Sequence, residues 1–331
     1  MKNFRKWITI WLLLGLAGCL PHTGTAQQSE TNAVYQDGEE VRQLSIIATV
    51  FPAYDFAKAI VKDAAQVHLL LPPGTESHTY EPTPQDVLAV QQADLFLYVG
   101  GESEQWVTGM LAAMGNDAPR ALTMMDCVQM LEEEHSASME PKRKEAVSGH
   151  REFVKVEMDE HVWTSPQNAM LITMRYAQVL QELDAVNAKQ YAENAEAYLE
   201  QLAALDVAFG EVVNSGMRKK IIFGDRFPFR YFAHTYDLAY DAAFPGCSEE
   251  SEPSIQTIAS LIGEIKRDSI PVVFYIEFSD KRTANILAEE TEAKLLLMHS
   301  CHTVSRADME SGVSYLSLMW ENVAALKEAL H

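Results

Sequence analysis

The longest helical pattern in this chain covers residues 188–213 and constrains the fold more than any other feature. Its apolar residues recur at spacings of three and four, the period of one face of an α-helix. They are Tyr191, Ala195, Tyr198, Leu202, Leu205 and Phe209. Nothing breaks the helix before Gly210. At 1.5 Å per residue it is about 40 Å long, enough to run the length of a two-lobed protein.

Short apolar runs alternate with helical patterns on both sides of this helix. Strands are predicted before it at residues 44–50, 67–71, 94–99 and 120–125, and after it at 220–223, 238–243, 271–276 and 294–298. Such alternation predicts parallel sheets with crossover helices. The predicted fold class is α/β, with two lobes that each contain a mostly parallel sheet flanked by helices, joined by the long helix.

The pattern also predicts a domain organisation. Residues 1–18 are a signal peptide, 19–43 a flexible tether, 44–164 the N-terminal lobe, 165–215 a helix followed by the long helix, and 216–331 the C-terminal lobe. A charged stretch at about 127–160 in the first lobe has no periodicity, which predicts a mobile insertion.

The N-terminus has the features of an export signal. Three basic residues precede an apolar run at 7–16, which is short for a membrane span. The sequence Leu-Ala-Gly-Cys at 16–19 resembles a bacterial lipobox, in which Cys19 is lipidated. The alternative is a plain secretory signal cleaved near Ala26. A lipidated Cys19 predicts an extracytoplasmic protein anchored to the cell membrane.

The charge balance restricts the partners. The chain carries 47 acidic and 26 basic residues, a formal net charge of −21 that becomes −24 without the signal peptide. A surface this acidic argues against nucleic acid as a partner and favours cations or basic partners.

Residues that can bind a metal follow predicted strand ends or precede helix starts. His78 lies on a proline-rich loop after the second strand, His161 precedes a helix start, Asp225 follows a strand of the second lobe, and His299 follows the last strand with His302 close behind. In doubly wound folds such ends converge on one crevice. These side chains suit a divalent metal between the lobes. The alternatives are a solvated loop for His161, an ion pair with a neighbouring arginine for Asp225, and a turn cap for His302.

Enzyme motifs do not occur in the chain. It has no Gly-x-Ser-x-Gly, no His-Glu-x-x-His and no phosphate-binding glycine loop. A zinc hydrolase with a base beside His161 is the least favoured reading. The prediction is a binding protein and not an enzyme.

Three cysteines remain after Cys19, namely Cys127, Cys247 and Cys301. An exported protein can contain a disulfide, and three pairings are possible. Cys247 and Cys301 both follow apolar runs in the second half of the chain, so this pair is favoured.

Several motifs identify a family resemblance. They are Thr-Val-Phe-Pro at 49–52, Pro-Gly at 73–74 followed by His-Thr-Tyr-Glu-Pro-Thr-Pro at 78–84, and Asp-Glu-His-Val-Trp at 159–163. From about residue 44 to 330, the chain resembles the metal-binding lipoproteins of bacterial zinc and manganese ABC importers. This group, cluster A-I of the solute-binding proteins, includes the streptococcal adhesin-like lipoproteins.

The resemblance implies two lobes joined by a rigid helix, one metal buried between them, and delivery by a monomer to a membrane permease powered by an ATPase. His78 and His161 match the family's first two ligands. The third ligand precedes a Phe-x-Tyr pattern. A gapless alignment puts Arg226 at this third ligand position, and a one-residue slip puts Asp225 there. Because arginine cannot ligate a cation, either Asp225 is the third ligand or the site lacks this ligand. His299 stands at the fourth position, and His302 is the reserve candidate.

Three imidazoles and one carboxylate favour Zn²⁺ over Mn²⁺, which prefers more oxygen ligands. With His135 and His150, the 127–160 stretch resembles a weak form of the histidine-rich loop of zinc-type members. A disulfide in the C-terminal lobe is another zinc-type feature, which fits Cys247 and Cys301. The predicted function is zinc capture for an ABC importer, with a manganese-binding protein or a surface adhesin as alternatives.

Overall fold

The computed structural model describes residues 34–36, 39–75, 77, 80–134, 157–246 and 252–331. The chain divides into two compact units, residues 1–42 and residues 43–331. In the first unit, strands β1 (Val34–Gln36) and β2 (Glu39–Val41) pair antiparallel. These two strands lie within the predicted tether, and their valines and tyrosine favour β-structure. The signal peptide and Cys19 lie outside the described residues.

The N-terminal lobe contains one four-stranded parallel sheet in the order β4-β3-β5-β6. Its elements are β3 (Leu44–Ala48), α1 (Phe51–Val61), β4 (Ala65–Leu69), α2 (Pro84–Gln92), β5 (Leu95–Tyr98), α3 (Gln105–Met114) and β6 (Arg120–Thr123). Helix α2 begins as predicted, because the Thr83 side chain and Asp86 form a capping box and Pro84 fixes the first turn. The loop from β4 to α2 carries the predicted first ligand.

The C-terminal lobe contains a second four-stranded parallel sheet in the order β10-β9-β7-β8. Its elements are β7 (Lys220–Phe227), α6 (Arg230–Tyr236), β8 (Ala239–Pro245), α7 (Ile255–Asp268), β9 (Val272–Tyr275), α8 (Arg282–Thr291), β10 (Lys294–Leu297), α9 (Arg306–Ser311) and α10 (Tyr315–Leu330). Two parallel sheets flanked by helices confirm the predicted fold class.

Two long helices, α4 (Pro166–Leu183) and α5 (Ala188–Ser215), connect the lobes. The predicted apolar face of α5 is buried along its whole length. This helix packs against α4, against α1 of the first lobe and against α10 at the end of the chain. One hydrophobic core therefore continues from the first sheet through α5 to the second sheet. No helix in the described part of the chain is long and apolar enough to cross a membrane.

Candidate metal centre

His161 is buried at the junction of the two lobes, with 2 % of its surface exposed. Its Nδ1 lies 3.2 Å from Asp159 Oδ1, and the same oxygen accepts the His161 backbone N–H at 2.8 Å. Because Nδ1 faces a carboxylate, this nitrogen carries the ring proton, which makes Nε2 the nitrogen with a lone pair. A carboxylate that orients a histidine in this way is the usual outer partner of a metal ligand.

The chain before His161 is held from both lobes. The Asp159 backbone N–H donates to the Leu131 carbonyl at 3.0 Å. Tyr231 of α6 accepts the Leu131 backbone N–H at 3.1 Å and donates its hydroxyl to the Asp159 carbonyl at 2.8 Å. Both ends of the described chain around the 127–160 stretch are thus fixed to the C-terminal lobe, which gives His161 a defined position.

His302 faces His161 from the opposite lobe. The two imidazole rings lie 5.8 Å apart, centroid to centroid, and the His302 ring also contacts Trp163 at 5.2 Å. Trp163 Nε1 donates to the Ser300 carbonyl at 2.8 Å, which fixes the loop after β10 against the first lobe. Two imidazoles from different lobes therefore meet in one buried place.

Both imidazoles line a small cavity of about 60 Å³. Besides the two histidines, its walls include Arg226 and Glu277 from the second lobe and Gly74 from the first. The cavity is large enough for a metal ion with one further small ligand. A site of this kind matches the predicted position between the lobes.

His78 lies outside the described residues, but its neighbour in sequence does not. Ser77 is buried, and its Oγ lies 2.7 Å from His302 Nε2. The bond joins the two lobes immediately beside the predicted first ligand. Among the residues that the structure describes, no group of three or more His, Cys, Asp and Glu side chains could hold a metal.

His299, the predicted fourth ligand, does not reach the cavity. Its Nε2 lies 3.1 Å from Glu321 Oε2 on α10, and its backbone N–H donates to Asn322 Oδ1 at 2.7 Å. These contacts turn the ring toward the last helix. His299 as a ligand stays a prediction, whereas His302, the reserve candidate, is the histidine whose ring faces His161.

Asp225, the predicted third ligand, is also directed elsewhere. Its Oδ1 accepts the Arg226 backbone N–H at 2.8 Å, and its Oδ2 accepts the Ile276 backbone N–H at 3.4 Å. Asp225 lines only a neighbouring cavity, whereas Arg226 lines both that cavity and the one that holds the histidines. The pairing of β7 with β8 shifts register between Phe223 and Arg226, which changes the side that each following side chain faces.

Comparison with known proteins places this geometry in a family. Residues 46–329 match the family model described as zinc-uptake complex component A, periplasmic. The chain belongs to this family. It is 29 % identical to the high-affinity zinc uptake system protein ZnuA of Bacillus subtilis, over 99 % of this chain and 98 % of that protein. It is 30 % identical to the zinc-binding lipoprotein AdcA of Streptococcus pneumoniae, over 86 % of this chain and 56 % of that longer protein.

The solved structures agree with this assignment to the zinc-uptake component A family. The Zn(II)-bound ZnuA-like domain of Streptococcus pneumoniae AdcA superposes with a TM-score of 0.71 at 28 % identity. The match covers 87 % of this chain and 99 % of that domain. The likeness therefore extends over both lobes.

Glu277 is a half-buried residue of this family member that the sequence reasoning missed. Its carboxylate accepts the Ser300 hydroxyl at 2.6 Å, the Ser300 backbone N–H at 2.8 Å and the His302 backbone N–H at 3.3 Å. Burial raises the pKa of this carboxyl above its ordinary value. Glu277 orders the loop that presents His302. A lone acid directly after an apolar strand was the available signal.

The cysteine prediction is not supported by this structure of the family member. Cys301 is a free thiol, fully buried, with Sγ 3.8 Å from the His299 carbonyl oxygen. The Cys301 side chain belongs to the main core, and the predicted Cys247–Cys301 disulfide stays a prediction. Cys247 lies in the part of the chain that the structure does not describe. Burial raises the pKa of the Cys301 thiol well above its ordinary value.

A buried carboxylate beside the His161 loop makes stability depend on pH. Glu104 is 2 % exposed, and its Oε2 accepts the Val99 and Gly100 backbone N–H groups at 2.7 and 2.9 Å. Burial, with a further contribution from Glu160, raises the pKa of Glu104 from 4.5 to about 7. The folded protein thus holds a proton that the unfolded chain releases near pH 4.5. This contribution to stability is complete below pH 4.5 and is lost as pH rises to about 7.

We expect Glu104→Gln to remove this dependence. Between pH 4.5 and 8, the wild type should lose on the order of 3 kcal/mol of unfolding free energy relative to the variant. Urea unfolding at both pH values measures the difference. Burial also raises the pKa of Asp55, to about 6, but this group is present in both proteins and cancels. Glu102→Gln is the control, since Glu102 is exposed. The prediction would be contradicted if the unfolding free energies of the wild type and Glu104→Gln changed equally between the two pH values.

Proposed function

We propose that this protein captures Zn²⁺ outside the cytoplasm and delivers it to the membrane permease of an ABC importer. One observation carries the proposal. Two imidazoles, the buried His161 and the half-buried His302, lie 5.8 Å apart and come from different lobes of a zinc-uptake component A fold. The acidic surface favours a cation as cargo. A lipid on Cys19 would hold the monomer at the membrane that contains the permease and its ATPase.

The proposed ligands are His78, His161 and His302. Three neutral imidazoles with a water molecule in the fourth position form a tetrahedral site, which is the geometry that Zn²⁺ prefers. Mn²⁺ favours oxygen ligands, and Asp225, the carboxylate predicted for this site, lines another cavity. Arg226 faces the site instead, and a guanidinium cannot ligate a cation. This donor set supports zinc over manganese.

The geometry gives no support to a zinc hydrolase. Glu160, the candidate base next to His161, is 4 % exposed. Its carboxylate accepts the Ser103 backbone N–H at 2.9 Å and the Ser103 hydroxyl. Both oxygens are thus directed to Ser103 in the first lobe. A carboxylate in this position serves to hold the loop that precedes His161.

Metal titration of the purified chain tests the proposal. We expect native mass spectrometry to find one Zn²⁺ per chain, which displaces Mn²⁺ when both are offered. The double variant His78→Ala/His161→Ala should bind no metal and should not support growth in zinc-limited medium. His234→Ala is the matched control, since this histidine is exposed on α6. A wild-type chain without metal, or a double variant that binds like the wild type, would refute the proposal.

A further inference from the structure

Phe278 combines exposure with an unusual backbone conformation. It follows β9 in the loop before α8, with φ of +60° and 59 % of its surface exposed. A bulky side chain in the left-handed region is an outlier that strains the backbone. Such a conformation persists only where surrounding contacts select it, and these positions are concentrated at ligand clamps and switches.

The contact that selects this conformation reaches across the lobes. A Cβ atom built on Gly74 would lie 3.7 Å from Phe278 Cε1, so the ring packs directly over the Gly74 backbone. Gly74 itself has φ of +83°, and its backbone N–H donates to Thr303 Oγ1 at 3.0 Å. The loop from β4 to α2 is thus held by two residues of the second lobe.

The position of the ring relative to the metal cavity gives this contact a consequence. Phe278 lines the cavity that contains His161 and His302, and it also lines the neighbouring cavity that contains Asp225. A side chain that lines an inner cavity and is more than half exposed lies at the boundary between that cavity and solvent. The ring therefore covers an entrance to the histidines.

We propose that Phe278 is a gate of the metal site, which closes the cavity by packing on Gly74 and limits how fast Zn²⁺ enters and leaves. It is a positioning residue and not a ligand. The inference rests on the proposed function, because it assumes that zinc binds between the lobes. A gate obstructs passage in both directions, so it slows association and dissociation by the same factor and leaves the equilibrium affinity unchanged.

Stopped-flow kinetics of Phe278→Ala test the gate. Release of Zn²⁺ from the loaded protein to a chromogenic chelator gives the dissociation rate, and mixing metal-free protein with Zn²⁺ gives the association rate. We expect both rates to rise about tenfold, which corresponds to about 1.4 kcal/mol less barrier. Phe278→Tyr keeps the ring and should behave as the wild type. Ile286→Ala is the control for loss of an exposed apolar side chain on α8.

Phe278→Gly separates the gate from damage to the fold. Glycine adopts positive φ without strain, so this variant should be at least as heat-stable as the wild type. It should bind and release Zn²⁺ as fast as Phe278→Ala. Unchanged rates in both variants would overturn the gate, and so would faster dissociation with unchanged association, since that pattern indicates a disturbed ligand. If the wild type bound no Zn²⁺, the proposed function would fail together with the gate.

Discussion

His302→Ala is expected to weaken Zn²⁺ binding by more than the roughly 10- to 100-fold that loss of an outer partner costs. The variant removes one of the two imidazoles that meet between the lobes. His299→Ala, three residues earlier, is expected to leave the affinity within about twofold of the wild type, because an exposed contact with Glu321 contributes little. The pair of variants tests which of the two histidines, His302 or His299, is a metal ligand.

Competition with a chelator of known affinity measures both variants. Cobalt(II) substitution adds a spectroscopic readout, because the visible absorption of bound cobalt changes when a nitrogen ligand is lost. Thermal unfolding of the metal-free proteins should show little difference between them, which separates ligand loss from misfolding. A larger loss of affinity in His299→Ala than in His302→Ala would restore the original assignment.

Gly224→Ala is expected to reduce the unfolding free energy by about 3 kcal/mol, the upper end of the usual cost of overpacking. A Cβ atom on this residue of β7 would lie 2.4 Å from Ala284 Cα and 2.9 Å from Ala284 N. These are backbone atoms of α8, so no side chain can rotate away. Helix and sheet would have to separate locally to admit one methyl group.

Gly210→Ala, the same substitution at another glycine, is expected to raise the unfolding free energy instead of lowering it. A Cβ atom on this residue, inside α5, meets nothing within 4 Å. Alanine in a helix is more stable than glycine by roughly 0.5–1 kcal/mol, so the variant should gain stability. Urea unfolding with equal m-values for all three proteins measures both changes. A Gly224→Ala variant within about 0.5 kcal/mol of the wild type would contradict the predicted clash.

The periodicity of apolar residues was sufficient to predict the long helices of the fold. Helix α5 was predicted at 188–213 and covers Ala188–Ser215, and the helix predicted before it, within 165–215, is α4 (Pro166–Leu183). The short helices α6 and α9 were missed, because six or seven residues contain fewer than two helical turns of pattern. Length therefore decided which helices the sequence could predict.

The candidate site was predictable on the first lobe and less so on the second. His161 is buried between the lobes, as its motif implied. Asp225 and His299 were predicted from their positions after strand ends and from the family's ligand pattern, and neither determines where a side chain points. A register shift in β7 and a contact with α10 directed them away from the cavity. Such deviations depend on tertiary packing, and a spacing argument cannot contain them.

The core that α5 shares with both sheets has a mechanical consequence. A binding protein whose lobes swing apart uses part of its ligand affinity to draw them together. Here the two halves are already joined by one continuous apolar interior, so a bound ion need not drive a large rearrangement and its residence on the protein can be long. Release of the ion then requires free energy supplied by the transporter. We expect the transporter to deform the loops around the ion while the scaffold beneath them keeps its shape.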